Sequence, residues 1–306
     1  MTIWSLVSAL AFSAASPAPI CEGVAEPIID IHLHAYMDDP RFAAHVPNLG
    51  TGAANSATDG ASHRALTIGA LRRLGVVRGI VSGDHAAEGA MIAADPQRLR
   101  PGYGIDVPTA EDLANIRRLH ARGEIVMIGE VLPQYDGVAP GDPRLEPLWA
   151  LAEELQIPIA FHIGRGPPVM VAPHHPAAIG DPLLLEPVLL RHPRLRLILM
   201  HAGFPFADNV EALLGRYPNV YVDLGAIHWA EYRPAFHHYL RRLIEGGFAR
   251  QILFGSDQMV WPDAIERSLQ AYREADYLTD AQRRDIFFGN AVRFFGWTDL
   301  EGCGRR

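Results

Sequence analysis

Eight short apolar runs, each followed by a helical pattern or by a loop leading to one, constrain what this chain can fold into. They begin at Ile28, Val77, Leu99, Ile125, Ile157, Leu195, Val220 and Ile252. Runs this short and this apolar are buried strands. Strand then helix, eight times over, predicts an α/β fold: a distorted (β/α)8 TIM barrel, one domain over residues 23–306. The intervening stretches have helical chemistry. Residues 109–122 open on a Thr109-x-x-Asp112 capping box. Residues 143–156 carry Leu145, Leu148, Trp149, Ala152 and Leu155 at helical spacing. Residues 232–245 and 263–275 follow the same period, and residues 279–295 start with a second box at Thr279 and Gln282. No repeat and no second domain is visible.

Five of the eight runs close on a residue type that binds metals. They read Ile28-Ile29-Asp30-Ile31-His32-Leu33-His34, Ile125-Val126-Met127-Ile128-Gly129-Glu130, Ile157-Pro158-Ile159-Ala160-Phe161-His162, Leu197-Ile198-Leu199-Met200-His201 and Ile252-Leu253-Phe254-Gly255-Ser256-Asp257. In a parallel barrel the strand ends share one face, so these side chains are expected to converge. Converging imidazoles and carboxylates form a divalent metal site. His32 and His34, two apart on a strand, point to one side. The first and eighth strands of a closed barrel are neighbours, which places Asp257 beside that pair. His162 and His201 end adjacent strands, with Glu130 between the two half-sites, where a carboxylate could bridge two cations.

Each residue also has a plainer reading. His162 and His201 could be core histidines donating to carbonyls, Glu130 could pair with an inward arginine, and Asp257 could cap the segment that follows. Asp30 lies one layer deeper; it either orients a ligand or satisfies an inward polar group. His174-His175 reads as solvated loop, His192, His237 and His238 as helical or connecting surface. Nothing selects His45, His63 or His85.

Two connections are unusually long, residues 37–62 and 163–180. Both follow strands that end in candidate ligands, and long loops in compact domains are often lids or binding loops. Arg165 could clamp a carboxylate or phosphate or form a loop salt bridge. His228, Trp229 and Trp261 could line a substrate pocket or pack on helices. The charge balance of 27 basic to 35 acidic residues has no resemblance to a nucleic-acid footprint. The expected partner is a small molecule, with a homo-oligomer possible.

Residues 3–12 are apolar and small residues follow, with Ser13-Ala14-Ala15 a candidate cleavage site. Residues 1–22 therefore read as an export signal and short N-terminal segment, too short to leave a span in the mature chain. The expected location is secreted or periplasmic. No basic residue precedes the apolar core, which keeps open a mis-called start ahead of a cytosolic protein, or an uncleaved anchor. Cys21 and Cys303 could pair, since termini often lie close. Neither has Cys-x-x-Cys spacing.

At these residues the sequence resembles the amidohydrolase superfamily, in its amidohydrolase-related branch of metal-dependent barrel hydrolases. The likeness rests on Asp30-x-His32-x-His34, Gly129-Glu130, His162, His201-Ala202-Gly203, Gly255-Ser256-Asp257 and Phe288-Gly289-Asn290-Ala291-x-Arg293-Phe294-Phe295, from about residue 27 to 297. It implies one or two divalent metals, most often zinc, at the C-terminal strand ends. By resemblance His32, His34 and Asp257 are ligands, and His162 and His201 hold a second metal; in one-metal relatives the residue matching His201 becomes catalytic. Many two-metal relatives use a carboxylated lysine where this chain has Glu130. The leading expectation is hydrolysis of a small-molecule ester, lactone or amide by metal-activated water, with Asp257 placed to act as proton shuttle. The branch also holds decarboxylases and hydratases, so a lyase using His201 as acid/base is the second expectation. A non-catalytic metal-binding protein is the third.

Overall fold

The computed structural model describes residues 20–168 and 171–303; the candidate signal lies outside them apart from residues 20–22. Among the described residues seven strands form, all pairing in parallel: β1 Ile28–Ala35, β2 Val76–Gly83, β3 Leu99–Pro101, β4 Ile128–Val131, β5 Ile159–His162, β6 Leu197–Met200 and β7 Val220–Val222. They make a sheet of order β1-β2-β3 and a sheet of order β4-β5-β6-β7. Bridges Tyr103–Gly129 and Ile105–Val131 join the two between β3 and β4.

The eighth run forms the closing stave without becoming a regular strand. Ile252 bridges Val222 of β7. The Leu253 N–H donates to the Val222 carbonyl at 2.8 Å, Ile31 N–H donates to the Phe254 carbonyl at 3.0 Å, and Asp257 N–H donates to the His32 carbonyl at 2.8 Å. Two of its own donors go elsewhere: Phe254 N–H to the Ile286 carbonyl and Ser256 N–H to the Asp30 carboxylate. Backbone groups spent this way cannot extend a ladder. The result is a distorted (β/α)8 barrel in which every strand runs toward the same face.

The helices follow the sequence periods. Helix Ala110–Ala121 is capped by the Thr109/Asp112 box. The run at 143–156 splits into a 3-10 turn Pro143–Leu145 and helix Glu146–Leu155. Helices Arg233–Glu245 and Ala264–Arg273 match their periods. The last helical region is interrupted: Asp280–Arg284, a π-turn Asp285–Gly289, then Asn290–Phe295. That π-turn holds the Ile286 carbonyl that receives Phe254 N–H, so the widened turn serves the closing stave.

Cys21 and Cys303 form a disulfide with Cα atoms 5.7 Å apart, tying the two ends across 282 residues of chain. No helix among the described residues is long and apolar enough to cross a membrane. The first long loop is docked: it contains the short helix Pro40–Ala43, and Phe42 and Ala57 pack in a buried cluster with Trp229, Val260, Trp261 and Ala264.

Candidate metal centre

Parallel strands deliver their C-terminal residues to one mouth. His32 and His34 come from β1, Glu130 from β4, His162 from β5, and His201 follows β6. Asp223 follows β7, and Asp257 closes the eighth stave. The ligand atoms of His32, His34 and Glu130 lie within 4.8 Å of one another, as do those of Glu130, His162 and His201. Glu130 belongs to both groups. Its Oε2 is 3.4 Å from the Nε2 of both His32 and His34, and its Oε1 is 3.1 Å from His201 Nε2. Asp257 Oδ1 sits 3.0 Å from His34 Nε2 and 3.7 Å from His32 Nε2.

The outer bonds aim these rings. His32 Nδ1 donates to Asp223 Oδ2 at 2.8 Å, His201 Nδ1 donates to the Gly225 carbonyl at 2.9 Å, and His162 Nδ1 donates to Gln134 Oε1 at 3.3 Å. Each leaves Nε2, with its lone pair, for the centre. The peptide of His34 is clasped by Gln258, which accepts from its N–H at 3.0 Å and donates to its carbonyl at 2.7 Å. Asp30 Oδ1 accepts from His32 N–H and Ser256 N–H, stitching β1 to the eighth stave; burial raises this carboxyl to about 7. His201, Ala202 and Asp257 have φ of 59°, 47° and 48°. Non-glycine residues in that region cost on the order of 1–3 kcal/mol each and cluster at functional sites.

The donor set fits a cation. Nε2 of His32 and Nε2 of His34 face each other at 3.2 Å, an approach that needs a proton or a metal between them. Asp257 Oδ1 is buried without a hydrogen bond of good geometry. Among the described residues no arginine pairs with Glu130, Asp223 or Asp257, and the chain contains no lysine at all. A carboxylated lysine is therefore impossible here, and Glu130 is the carboxylate shared by the two ligand groups. Without a metal, imidazole protons balance the charge. Burial disfavours charge on His32 and His201, yet the carboxylates outweigh it. Asp257, Asp223 and Glu130 hold His32 well above its usual value, and Glu130 with Asp257 lifts His201 to about 9. Reciprocally, burial would raise Asp257, but His32, His34 and His201 hold it at about 2. His162 is opposite in sense: burial, then the nearby His201, push it down to about 3.

Three residues expected near substrate have structural partners. His228 is buried, its Nε2 donating to the Gly255 carbonyl at 2.9 Å and its ring among Phe236, Phe254 and Tyr272. It is a core histidine, 1% exposed among these rings. Trp261 is buried under the first long loop and donates to the Val46 carbonyl at 2.9 Å. Arg165 pairs with Glu231, so its guanidinium fastens the second long loop to the segment after β7. Sequence reading passes over Asp223, although Val220-Tyr221-Val222-Asp223 ends on a carboxylate like its neighbours. It also passes over Gln134 and Gln258, amides that give no local signal, and treats His175 as solvated, whereas its ring is buried.

With this geometry in hand, relatives are informative. The sequence model of a family described as Amidohydrolase matches residues 29–297. A curated relative, Protein fluG of Emericella nidulans, is 26% identical over 131 residues, 38% of this chain and 15% of that protein; the chain thus spans a small part of its relative. Among solved structures, an uncharacterized TIM-barrel protein from Bordetella bronchiseptica has a TM-score of 0.66 at 20% identity, covering 88% of this chain and 98% of that one. A probable 2-pyrone-4,6-dicarboxylic acid hydrolase from Acinetobacter baumannii, with citric acid bound, has 0.64 at 15%, covering 88% and 99%. A dihydroxybenzoic acid decarboxylase from Polaromonas, with bound manganese and the inhibitor 2-nitroresorcinol, has 0.63 at 15%, covering 90% and 99%. At such identities these likenesses concern the fold alone.

Proposed function

Because the chain belongs to the amidohydrolase family, whose members are metal-dependent enzymes, we propose that it hydrolyses a small-molecule ester, lactone or amide, with zinc as the metal and with Asp257 and His201 as its proton-handling groups. The observation that carries this reading is the shared carboxylate: Glu130 belongs to both ligand groups, with Asp257 Oδ1, 3.0 Å from His34 Nε2, beside one of them.

The residues that would hold the metal are His32, His34, Glu130, His162, His201 and Asp257. A divalent cation bound there supplies Lewis acidity, polarising a carbonyl and acidifying water. Everything else is done by the chain. Asp257, kept ionised by the surrounding imidazoles, takes the proton of the attacking water on Oδ1 and returns it to the leaving oxygen or nitrogen. Asp223 fixes His32 through Nδ1 and His201 through its backbone N–H, so the two rings keep their aim while charge moves. Both named enzymes among the structural relatives act on carboxylated ring compounds, which supports a substrate bearing a carboxylate near its reacting group.

A lyase reading, in which His201 acts as acid/base on a carboxylate substrate, draws support from the decarboxylase likeness and from the proton that Glu130 holds on His201. Elemental analysis of the purified protein, joined to an ester, lactone, amide and carboxylate panel, separates the two. Two zinc equivalents, falling to one in Glu130→Gln, with release of acid from the panel, is the expected result. One equivalent, unchanged in Glu130→Gln, with carbon dioxide released and no hydrolysis, overturns hydrolysis in favour of the lyase. We also propose export from the cytoplasm, a reading the Cys21–Cys303 bond supports. A mass spectrum of the secreted chain that starts after Ala15 checks it.

A further inference from the structure

The second long loop carries a histidine that none of the chemistry above uses. His175 is 8% exposed, and neither ring nitrogen has a hydrogen-bond partner of good geometry; the backbone acceptor beside it, at Gly164, is poorly aligned. Its ring meets His162 at 5.5 Å between centroids and Tyr135 at 5.6 Å, both nearly edge to face. Tyr135 in turn meets His162 at 5.2 Å. The three rings form a wall continuing outward from the metal ligands.

The loop is built to place this ring. Gly180 lies so close to Gly164 that a Cβ would come within 1.6 Å of its carbonyl oxygen, which clasps the two stems together. Arg165 anchors one stem through its ion pair with Glu231 and by donating its backbone N–H to the Phe204 carbonyl at 3.0 Å. Gly166, at φ 70°, lies under the imidazole: a Cβ there would stand 2.4 Å from His175 Nδ1. Burying an imidazole without well-aligned partners costs stability. That cost falls away if an occupant of the mouth supplies the partner. His175 is not one of the clustered ligands, so that partner belongs to a molecule beyond the cation.

Resting on the function proposed above, we infer that His175 is a substrate-binding residue, whose ring donates a hydrogen bond to a carboxylate oxygen of the substrate on the side away from the metal. The loop thereby sets which acids bind, by the distance between the cation and this donor. Neighbouring His174 is exposed and takes no part.

The test uses cobalt(II)-loaded full-length protein, with visible absorption reporting anion binding. Acetate has one carboxylate and can engage only the metal; succinate has a second that can reach His175. In His175→Phe, which keeps a ring against Tyr135 and His162, succinate should bind at least fivefold more weakly while acetate binding and metal content stay within twofold. His175→Gln, which keeps a donor, should recover most of the loss, and His174→Ala should change nothing. With a turned-over substrate, the His175→Phe defect should appear in KM more than in kcat. Equal losses for acetate and succinate, or none for either, overturn the assignment. Wild-type protein that takes up no metal overturns the proposed function, and this inference with it.

Discussion

On one side of Glu130, His32, His34 and Asp257 sit in a net of buried charges and amides; on the other, His162 is held by one amide and two aromatic rings. His32 bonds to the Asp223 carboxylate at 2.8 Å, and His34 is gripped on its backbone by Gln258. His162 has only Gln134, at 3.3 Å, with Tyr135 and His175 beside it. The first half is carried on β1 and the closing stave, whose backbones are stitched by Asp30. The second half backs onto a loop. Electrostatics follow the construction: carboxylates keep protons on His32 and His201, whereas burial and the nearby His201 keep them off His162. One half is thus preorganised for a cation, and the other is poised where cation and substrate meet.

The harshest way to break this contrast is to neutralise the charged half at its reacting group. Asp257→Asn removes the proton acceptor with almost no change of shape. Turnover should fall by roughly 10²–10⁴-fold, the usual worth of a positioned general base, with most of the metal retained. Steady-state rates and elemental analysis on the same preparation check this, and a near-normal rate would remove Asp257 from the mechanism.

Proton linkage is the next largest effect. Below a pH of about 9, His201 in the metal-free protein carries a proton that a metal must displace; His162, at about 3, carries none. Apparent metal affinity should therefore rise with pH by about tenfold per unit for each displaced proton, or about a hundredfold per proton between pH 6 and 8. In the metal-free state the sign reverses for stability. A raised imidazole stabilises the fold below its unfolded value of 6.5, and that contribution is lost as pH rises toward 9. Competition against a chelator across this range should give a shallower slope for His201→Gln and an unchanged slope for His162→Gln. Equal changes in both would show that the two histidines are not electrostatically distinct.

The charged half was also the legible half, and for the same reason. His-x-His on a strand and a carboxylate closing a run are local patterns, and parallel strands turn local ends into one shared mouth. Asp223 carried that pattern too, but its run is short and holds no imidazole, so nothing local singled it out. What escaped depends on partners distant in sequence. Arg165 finds Glu231 after another strand, His228 finds its aromatic neighbours on three different elements, and His175 is buried only because Gly166 leaves it room. In the fold, the closing stave was visible as an apolar run, yet its irregular bonding was not, because the groups that take its donors, Asp30 and the Ile286 carbonyl, lie at opposite ends of the chain. The π-turn at Asp285–Gly289 hid for a simpler reason: one residue inserted in a long amphipathic run barely disturbs its period.

The two orienting bonds themselves give the finest comparison. Asp223→Asn keeps a hydrogen-bond acceptor for His32 Nδ1 but removes the charge, and outer partners of this kind usually carry 10–100-fold in metal affinity. Gln134→Ala removes a neutral, longer bond from His162. Charge-assisted bonds are roughly twice as strong as neutral ones, and Tyr135 and His175 still confine the ring, so its loss should cost less than about tenfold. Because Glu130 touches His201 as well as the first-strand pair, the weaker half is anchored through that carboxylate whatever happens at Gln134. Chelator competition on the two variants should thus rank Asp223→Asn well below Gln134→Ala. Should Gln134→Ala prove the more damaging, His162 would depend on its single amide more than on Glu130, and the half that faces the loop would have to be counted as the tighter metal site.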